Sequence, residues 1–226
     1  MVERAAPATI LRIVHMSRLL RVPLFPLAGA ILFPRAQLPL HIFENRYREM
    51  VRDAIEGPGR IAMIQPSQLE DELHPPLYSA GCLGEIVGVE ELDDGRFNIV
   101  LLGTHRFRLV REAEIDASYR CGEIDIEAFD DSDPPALSLG QRAEVERESR
   151  RLGDSMRLVV DWAAVSRLDD ETLVNAIAQV APFDYGAKQA LLEQPTLTDR
   201  ADLLVQLMQF QRVALTGGVE AEPTLQ

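Results

Sequence analysis

Four prolines, Pro23, Pro26, Pro34 and Pro39, divide the stretch Val22 to Tyr47 (VPLFPLAGAILFPRAQLPLHIFENRY) into short apolar runs. Proline fixes φ and removes a backbone donor, so these runs fit edge positions or first residues of strands and not a helix interior. Leu24-Phe25 and Leu38 to Phe43 read as two short strands, with Pro26 to Pro34 as the loop crossing between them. At Glu44 the pattern changes. Tyr47, Met50, Val51, Ala54 and Ile55 fall at helical spacing and form one apolar stripe, with Arg46, Arg48, Glu49, Arg52 and Asp53 on the wet side. Gly57-Pro58-Gly59 stops that helix.

Short apolar or alternating runs follow. Arg60 to Gln65 is a strand, and Pro66 to Tyr78 a polar loop with Glu70-Asp71-Glu72 at its centre. Gly81 to Glu91 and Arg96 to Leu102 flank Asp93-Asp94-Gly95, a strong hairpin turn. Gly103-Thr104 is expected to break the second of these, and His105 to Val110 and Tyr119 to Phe129 are further strands. Strands at this density, with one helix, fit a small closed or nearly closed sheet.

Asp130 to Pro135 (DDSDPP) marks the change to helical character. Leu139 to Trp162 reads as one long helix weakened in its middle by Gly153. Asp169-Asp170 caps Glu171 to Ala181, Asp184 starts YGAKQALLEQ, and Thr198 starts Asp199 to Leu215. A bundle of about four helices is expected. The organisation is therefore residues 1–17 as an extension, 18–129 as a β-rich unit, 136–216 as a helical unit and 217–226 as a flexible tail. Met16 is the expected true start, with Met1 to His15 disordered or not made.

The chain of 226 residues has 46% hydrophobic content and can bury a sizeable core. Its formal charge is −13. From Arg18 to Phe129, 12 arginines face 18 acids, net −6, and from Asp130 onward 9 bases face 17 acids, net −8. That balance argues against nucleic acid and against an anionic membrane surface as partners. Cys82 and Cys121 are two cysteines in apolar settings with no Cys-x-x-Cys pair, which fits free thiols in a reducing cytoplasm. No apolar run approaches the roughly 20 residues of a membrane span.

Chemistry-bearing motifs are scarce. There is no phosphate-binding glycine loop of the P-loop or dinucleotide type, no nucleophile elbow and no zinc-helix motif. Lys188, the sole lysine, is expected to lay its stem on apolar surface with its ammonium in water. His41 and Glu44 form an H-x-x-E pair at the strand-to-helix junction. With His105 and Cys82 they lack the spacing that would specify a metal site. Arg106 and Arg108 are expected to be sheet-face residues pairing with acids. No catalytic residue, metal or cofactor is assigned.

VPLFPL, LFPRAQLPLHIFENRY, LYSAGCLGEI, DDGRFNIVLLG and GTHRFRL, in that order, resemble the N-terminal substrate-binding domain of the Lon protease. The helical stretch LVNAIAQVAPFDYGAKQALLEQPTLTDRADLLVQLM resembles that domain's bundle, so the likeness runs from about Leu20 to Leu215. The closer likeness is to short bacterial proteins made of this domain alone. The resemblance implies an α+β fold: a PUA-like β-rich pseudo-barrel with one helix, then a helical bundle. It implies binding of unfolded or extended polypeptide segments, an ATP-dependent protease as partner, and a role as adaptor or regulator in protein quality control. The ATPase and Ser–Lys protease modules of the full protease are not in this sequence, so binding carries over and hydrolysis does not.

Polypeptide contact is expected through an apolar concave surface or an exposed sheet edge. Phe33, Pro34, Leu38 and Phe43 would supply apolar contacts from an exposed crossover, and Arg35 and Arg46 a polar rim. Weak homodimerisation is a further expectation. Two other readings compete: a PUA-like RNA-binding module, and an enzyme of unrecognised type using His41, Glu44 and Arg106 in one pocket.

Overall fold

The computed structural model describes residues 19–68, 74–132 and 134–217. Expectations for the N-terminal extension, for the acidic centre of the 66–78 loop and for the tail beyond 217 lie outside the described residues.

Six strands follow the apolar runs: β1 (Leu19–Pro26), β2 (Gln37–Ile42), β3 (Arg60–Pro66), β4 (Leu77–Glu91), β5 (Phe97–Ala113) and β6 (Arg120–Asp125). The sheet order is β2-β5-β4-β3-β1-β6, and β6 also pairs with β5, so all strands but β2 close into a barrel. β1 lies parallel to β3 and antiparallel to β6. Alternation sends Val22 and Leu24 inward, where they meet Ala62, Ile64, Leu83, Phe107 and Ile124 in the barrel's own small core. The helix α1 (Asn45–Glu56) buries Tyr47, Met50, Val51 and Ala54, the stripe expected from spacing, with Ile55 left partly exposed.

β5 is not broken at Gly103-Thr104. It runs on for 17 residues, and the pairing with β4 slips by one residue between Leu83/His105 and Gly84/Gly103. This is a β-bulge, which bends a strand and keeps it in the sheet. The bend lets one strand pair with β2 in its first half and with β6 in its second. Gly103 is also where the crossover docks: a Cβ there would lie 2.0 Å from the Phe33 carbonyl oxygen. Phe33 to Ala36 forms a turn in which Pro34 precedes Arg35 at φ 62°, the type II pattern in a non-glycine residue.

The helical unit comprises α2 (Leu139–Ser155), a single turn α3 (Trp162–Val165), α4 (Asp170–Val180), α5 (Tyr185–Glu193) and α6 (Leu197–Gly217). Asp169 and Asp184 cap α4 and α5 as expected. Thr196 accepts from the Asp199 N–H, so α6 starts before Thr198. The expected long helix Leu139 to Trp162 is shorter. It ends at Ser155 with Met156 as its C-cap; Arg157 then turns left-handed (φ 56°), Leu158 N–H bonds Gly153 O and Arg157 N–H bonds Asp154 O. That pair of bonds is a Schellman stop with arginine in the position glycine favours. Gly153 does more than weaken a helix: Trp162 lies against it, so that a Cβ would sit 3.2 Å from Trp162 Cζ2.

The DDSDPP segment separates strand from helix in the chain, yet the two units share one apolar cluster. Phe25, Leu32, Met50 and Ile99 belong to the same buried group as Val145, Leu173, Leu191 and Leu204. Polar contacts reinforce the joint. Gln65 of β3 bonds Gln189 of α5 at 3.0 Å, and Asn175 of α4 bonds the Pro34 carbonyl at 3.0 Å.

Candidate functional site

The crossover expected to be exposed is covered. Phe33 and Pro34 are buried, Phe33 completely, because α4 and α6 fold over them. Arg200 of α6 lies 5.7 Å from the Phe33 ring centroid and bonds Asn175 Oδ1, the same side chain that holds Pro34. Burial, and then the charge of nearby Arg106, pull the Arg200 guanidinium down to about 10. Arg35 is half-exposed and pairs with the buried Glu171. Leu38 is half-buried against the main core. Phe43, on the connection to α1, is 61% exposed with His41 stacked nearby. Arg46 pairs with Glu44 and covers the Tyr47 ring at 4.5 Å. These six residues therefore divide between a buried crossover and a separate exposed corner.

His41, Glu44 and Arg106 do not converge. His41 contacts Asn98 and Arg96, Glu44 contacts Arg46, and Arg106 is buried against the helical unit. The partners Asn98 and Arg106 stand eight positions apart on β5, about 26 Å of strand. Lys188 also departs from expectation. Its side chain is half-buried, its ammonium donates to the Gln179 carbonyl at 2.8 Å, and burial lowers its pKa. Cys82 and Cys121 are free and buried, and burial pushes the Cys82 thiol up, which keeps it unreactive. Among the described residues no group of three or more His, Cys, Asp or Glu is placed to hold a metal ion. Among them, too, no helix is long and apolar enough to cross a membrane.

The free edge of β2 is poorly suited to strand addition. Gln37 gives its carbonyl to Gln179 of α4, while Ala36 gives its own to Gly103 of β5. By two-residue alternation Pro39 turns its backbone to the open edge, where it has no N–H to offer.

An apolar concavity lies instead in the helical unit. It is a cleft of about 220 Å³ between α2, the Leu158–Trp162 connection and α4, with Met208 of α6 behind it. Leu152 and Met156 come from one wall, Leu173, Ile177 and Val180 from the other, and Trp162 closes one side. The early stop of α2 creates it, because the left-handed turn at Arg157 leads the chain away before α3 returns it. The rim is aliphatic: Leu158 and Val180 are exposed, Val180 by 77%. Clustered exposed apolar side chains around a concavity mark an interaction surface rather than solvent-facing packing. Leu139 to Trp162 shows apolar residues in the sequence, but a cleft could be read only from where the helix stops.

The fold is a closed β-barrel joined to a helical bundle that carries an apolar cleft. The family model of the ATP-dependent protease La (LON) substrate-binding domain matches residues 21–209, and the chain belongs to that family. Among curated relatives, Lon protease 1 of Bdellovibrio bacteriovorus is 26% identical over 83% of this chain, and Lon protease 2 of Myxococcus xanthus 26% identical over 86%. The chain spans about a quarter of those relatives' length, 24% of each. Among solved structures, the Lon N-terminal domain protein from Xanthomonas campestris has a TM-score of 0.63 at 22% identity, covering 83% of this chain and 98% of that one. The N-terminal domain of Mycobacterium avium complex Lon protease has a TM-score of 0.61 at 19% identity, covering 84% and 98%. Both share the fold.

Proposed function

We propose that this chain is a non-catalytic polypeptide-binding module that takes up unfolded or extended segments in the cytoplasm, as an adaptor or regulator in protein quality control. An ATP-dependent protease is its natural partner. The observation that carries the reading is the open apolar cleft with its exposed aliphatic rim, in a chain whose family is a substrate-binding domain. A protruding apolar side chain of an unfolded client gains burial there at about 25 cal/mol per Å² removed from water, while a folded protein has few such side chains to offer. The net charge of −6 over the β unit disfavours RNA as the ligand.

The test is fluorescence anisotropy of a labelled, permanently unfolded protein such as reduced and carboxymethylated lactalbumin, titrated with the full chain without ATP. Saturable binding in the micromolar range is expected, with native lactalbumin failing to compete. No saturable binding up to about 100 μM, equivalent to less than about 5.5 kcal/mol, rejects the module as a client binder.

A further inference from the structure

We propose that Met156 is a modification site for small hydroperoxides, and that its sulfoxide closes the cleft to clients. The effect on clients rests on the polypeptide-binding reading; the reactivity of the site does not.

Burial makes the site selective. The usual targets of peroxides are cysteines, which react as thiolates. Here Cys82 and Cys121 are both buried, and burial holds the Cys82 thiol in its unreactive protonated form. Met50, Met63 and Met208 are 0, 2 and 0% exposed. Met208 lines the same cleft from behind, yet it is covered completely. Met156 differs from all of these. It is the C-cap of α2, is half-buried, and lines the open cleft. Among the described residues it is the one sulfur-bearing side chain that is not buried. A thioether needs no deprotonation to react, so access decides.

The peroxide is itself the oxidant. The Met156 sulfur attacks one oxygen of hydrogen peroxide, an S–O bond forms and the O–O bond breaks. Hydroxide leaves and takes up the proton of the transferred oxygen, giving water. Sulfur loses two electrons to the peroxide, and thiol-driven methionine sulfoxide reductases return it to the thioether.

The new oxygen is a strong acceptor in a wall with little to satisfy it. Among the side chains that line the cleft, only Ser149 and Trp162 carry nitrogen or oxygen. Ser149 gives its hydroxyl proton to the Val145 carbonyl at 2.6 Å. The sulfoxide oxygen then either takes the Trp162 indole N–H, tying that ring to the end of α2, or keeps water in the cleft. Both oppose entry of an apolar side chain, which would have to strip that oxygen of its partner.

The test exposes the full chain to hydrogen peroxide and follows each methionine by peptide mass mapping. Met156 is expected to gain one oxygen at least about tenfold faster than Met50, Met63 and Met208. With its far-UV spectrum unchanged, the oxidised chain is expected to bind labelled carboxymethylated lactalbumin with a Kd raised at least about tenfold. Methionine sulfoxide reductase with a thiol reductant restores the original Kd. Met156→Leu keeps the apolar volume, so it binds lactalbumin as the parent does and is indifferent to peroxide. That variant also separates Met156 from Met1 and Met16, which lie outside the described residues. Oxidation of Met156 no faster than that of the buried methionines overturns the site. Selective oxidation with an unchanged Kd, or a loss of binding that Met156→Leu does not prevent, overturns the control of the cleft and leaves the client-binding reading standing. If the untreated chain fails to bind lactalbumin, that reading and the control fall together, and the mass map alone decides the site.

Discussion

Arg106 and Asp131 form a buried ion pair that bolts the barrel to the helical unit. The Asp131 carboxylate takes the Arg106 Nε–H at 2.9 Å on one oxygen and the Arg106 backbone N–H at 2.7 Å on the other. The remaining guanidinium donors reach the carbonyls of Leu192 and Pro195 at 3.0 and 3.3 Å, and that of Gln194 between them. Phe129 lies 4.4 Å from the guanidinium. A strand residue, an acid from the segment between the units and the end of α5 thus meet around one cation.

Removing one partner of such a pair leaves the other buried without compensation, which costs about 3–5 kcal/mol. Asp131→Ala is therefore expected to lower unfolding free energy by about that amount, and Asp131→Asn by less, since its amide oxygen still accepts one bond. Urea denaturation followed by circular dichroism measures both. A loss below about 1 kcal/mol for Asp131→Ala would show that the joint rests on the shared apolar cluster alone.

Phe33 and Phe43 are near neighbours in sequence and opposite in environment. Phe33→Ala opens a cavity beneath Arg200 and is expected to cost about 3–5 kcal/mol. Phe43→Ala removes an exposed ring and is expected to stay within about 0.5 kcal/mol of the parent. Thermal and urea unfolding of the pair checks both figures. Equal losses would mean that Phe43 is covered in solution by something other than this chain's own residues.

The contrast marks where sequence reasoning stops. The α1 stripe, the Asp169 and Asp184 caps and the hairpin at Asp94-Gly95 are local, set by residues within one or two turns of each other. All of them are legible. The burial of Phe33 depends on Asn175 and Arg200, more than 140 positions away, and proline punctuation looks the same in a covered crossover as in an open one. Gly103-Thr104 reads as a break because a bulge and a strand end share the same local signal. The cleft was invisible for the same reason. It exists only because α2 stops at Arg157, a residue with no stop signature, and because Trp162 then folds back onto Gly153.

Arg157 holds a left-handed φ of 56°, a conformation costing an L-residue with a Cβ about 1–2 kcal/mol that glycine avoids. Arg157→Gly keeps both Schellman bonds and is expected to raise stability by about 0.5–1 kcal/mol, after allowing for glycine's larger entropy in the unfolded chain. Urea unfolding gives the value. A destabilised variant would mean that the Arg157 side chain makes a stabilising contact in solution that outweighs the strain.

Two carboxyls at the start of α4 respond to pH in opposite directions. Burial pushes Asp169 up, but the bonds from the Thr172 N–H and hydroxyl outweigh it, and its pKa is lowered from 3.8. The native state then binds fewer protons than the unfolded chain between the two values, so this contribution is full above 3.8 and is lost as pH falls through the native value. Glu171 is the reverse. Burial raises it above 4.5, only partly offset by Arg35, so the native state binds more protons and stability falls as pH rises through its native value. Unfolding free energy measured from about pH 3 to 7 should therefore lose part of its acid-side rise in Asp169→Asn. In Glu171→Gln it should rise more steeply with pH than in the parent. Asp169→Asn retains a competent cap and is expected to cost under about 1 kcal/mol at neutral pH, which separates the proton linkage from loss of the helix start. Slope changes of the same sign in both variants would contradict the arrangement around the α4 terminus.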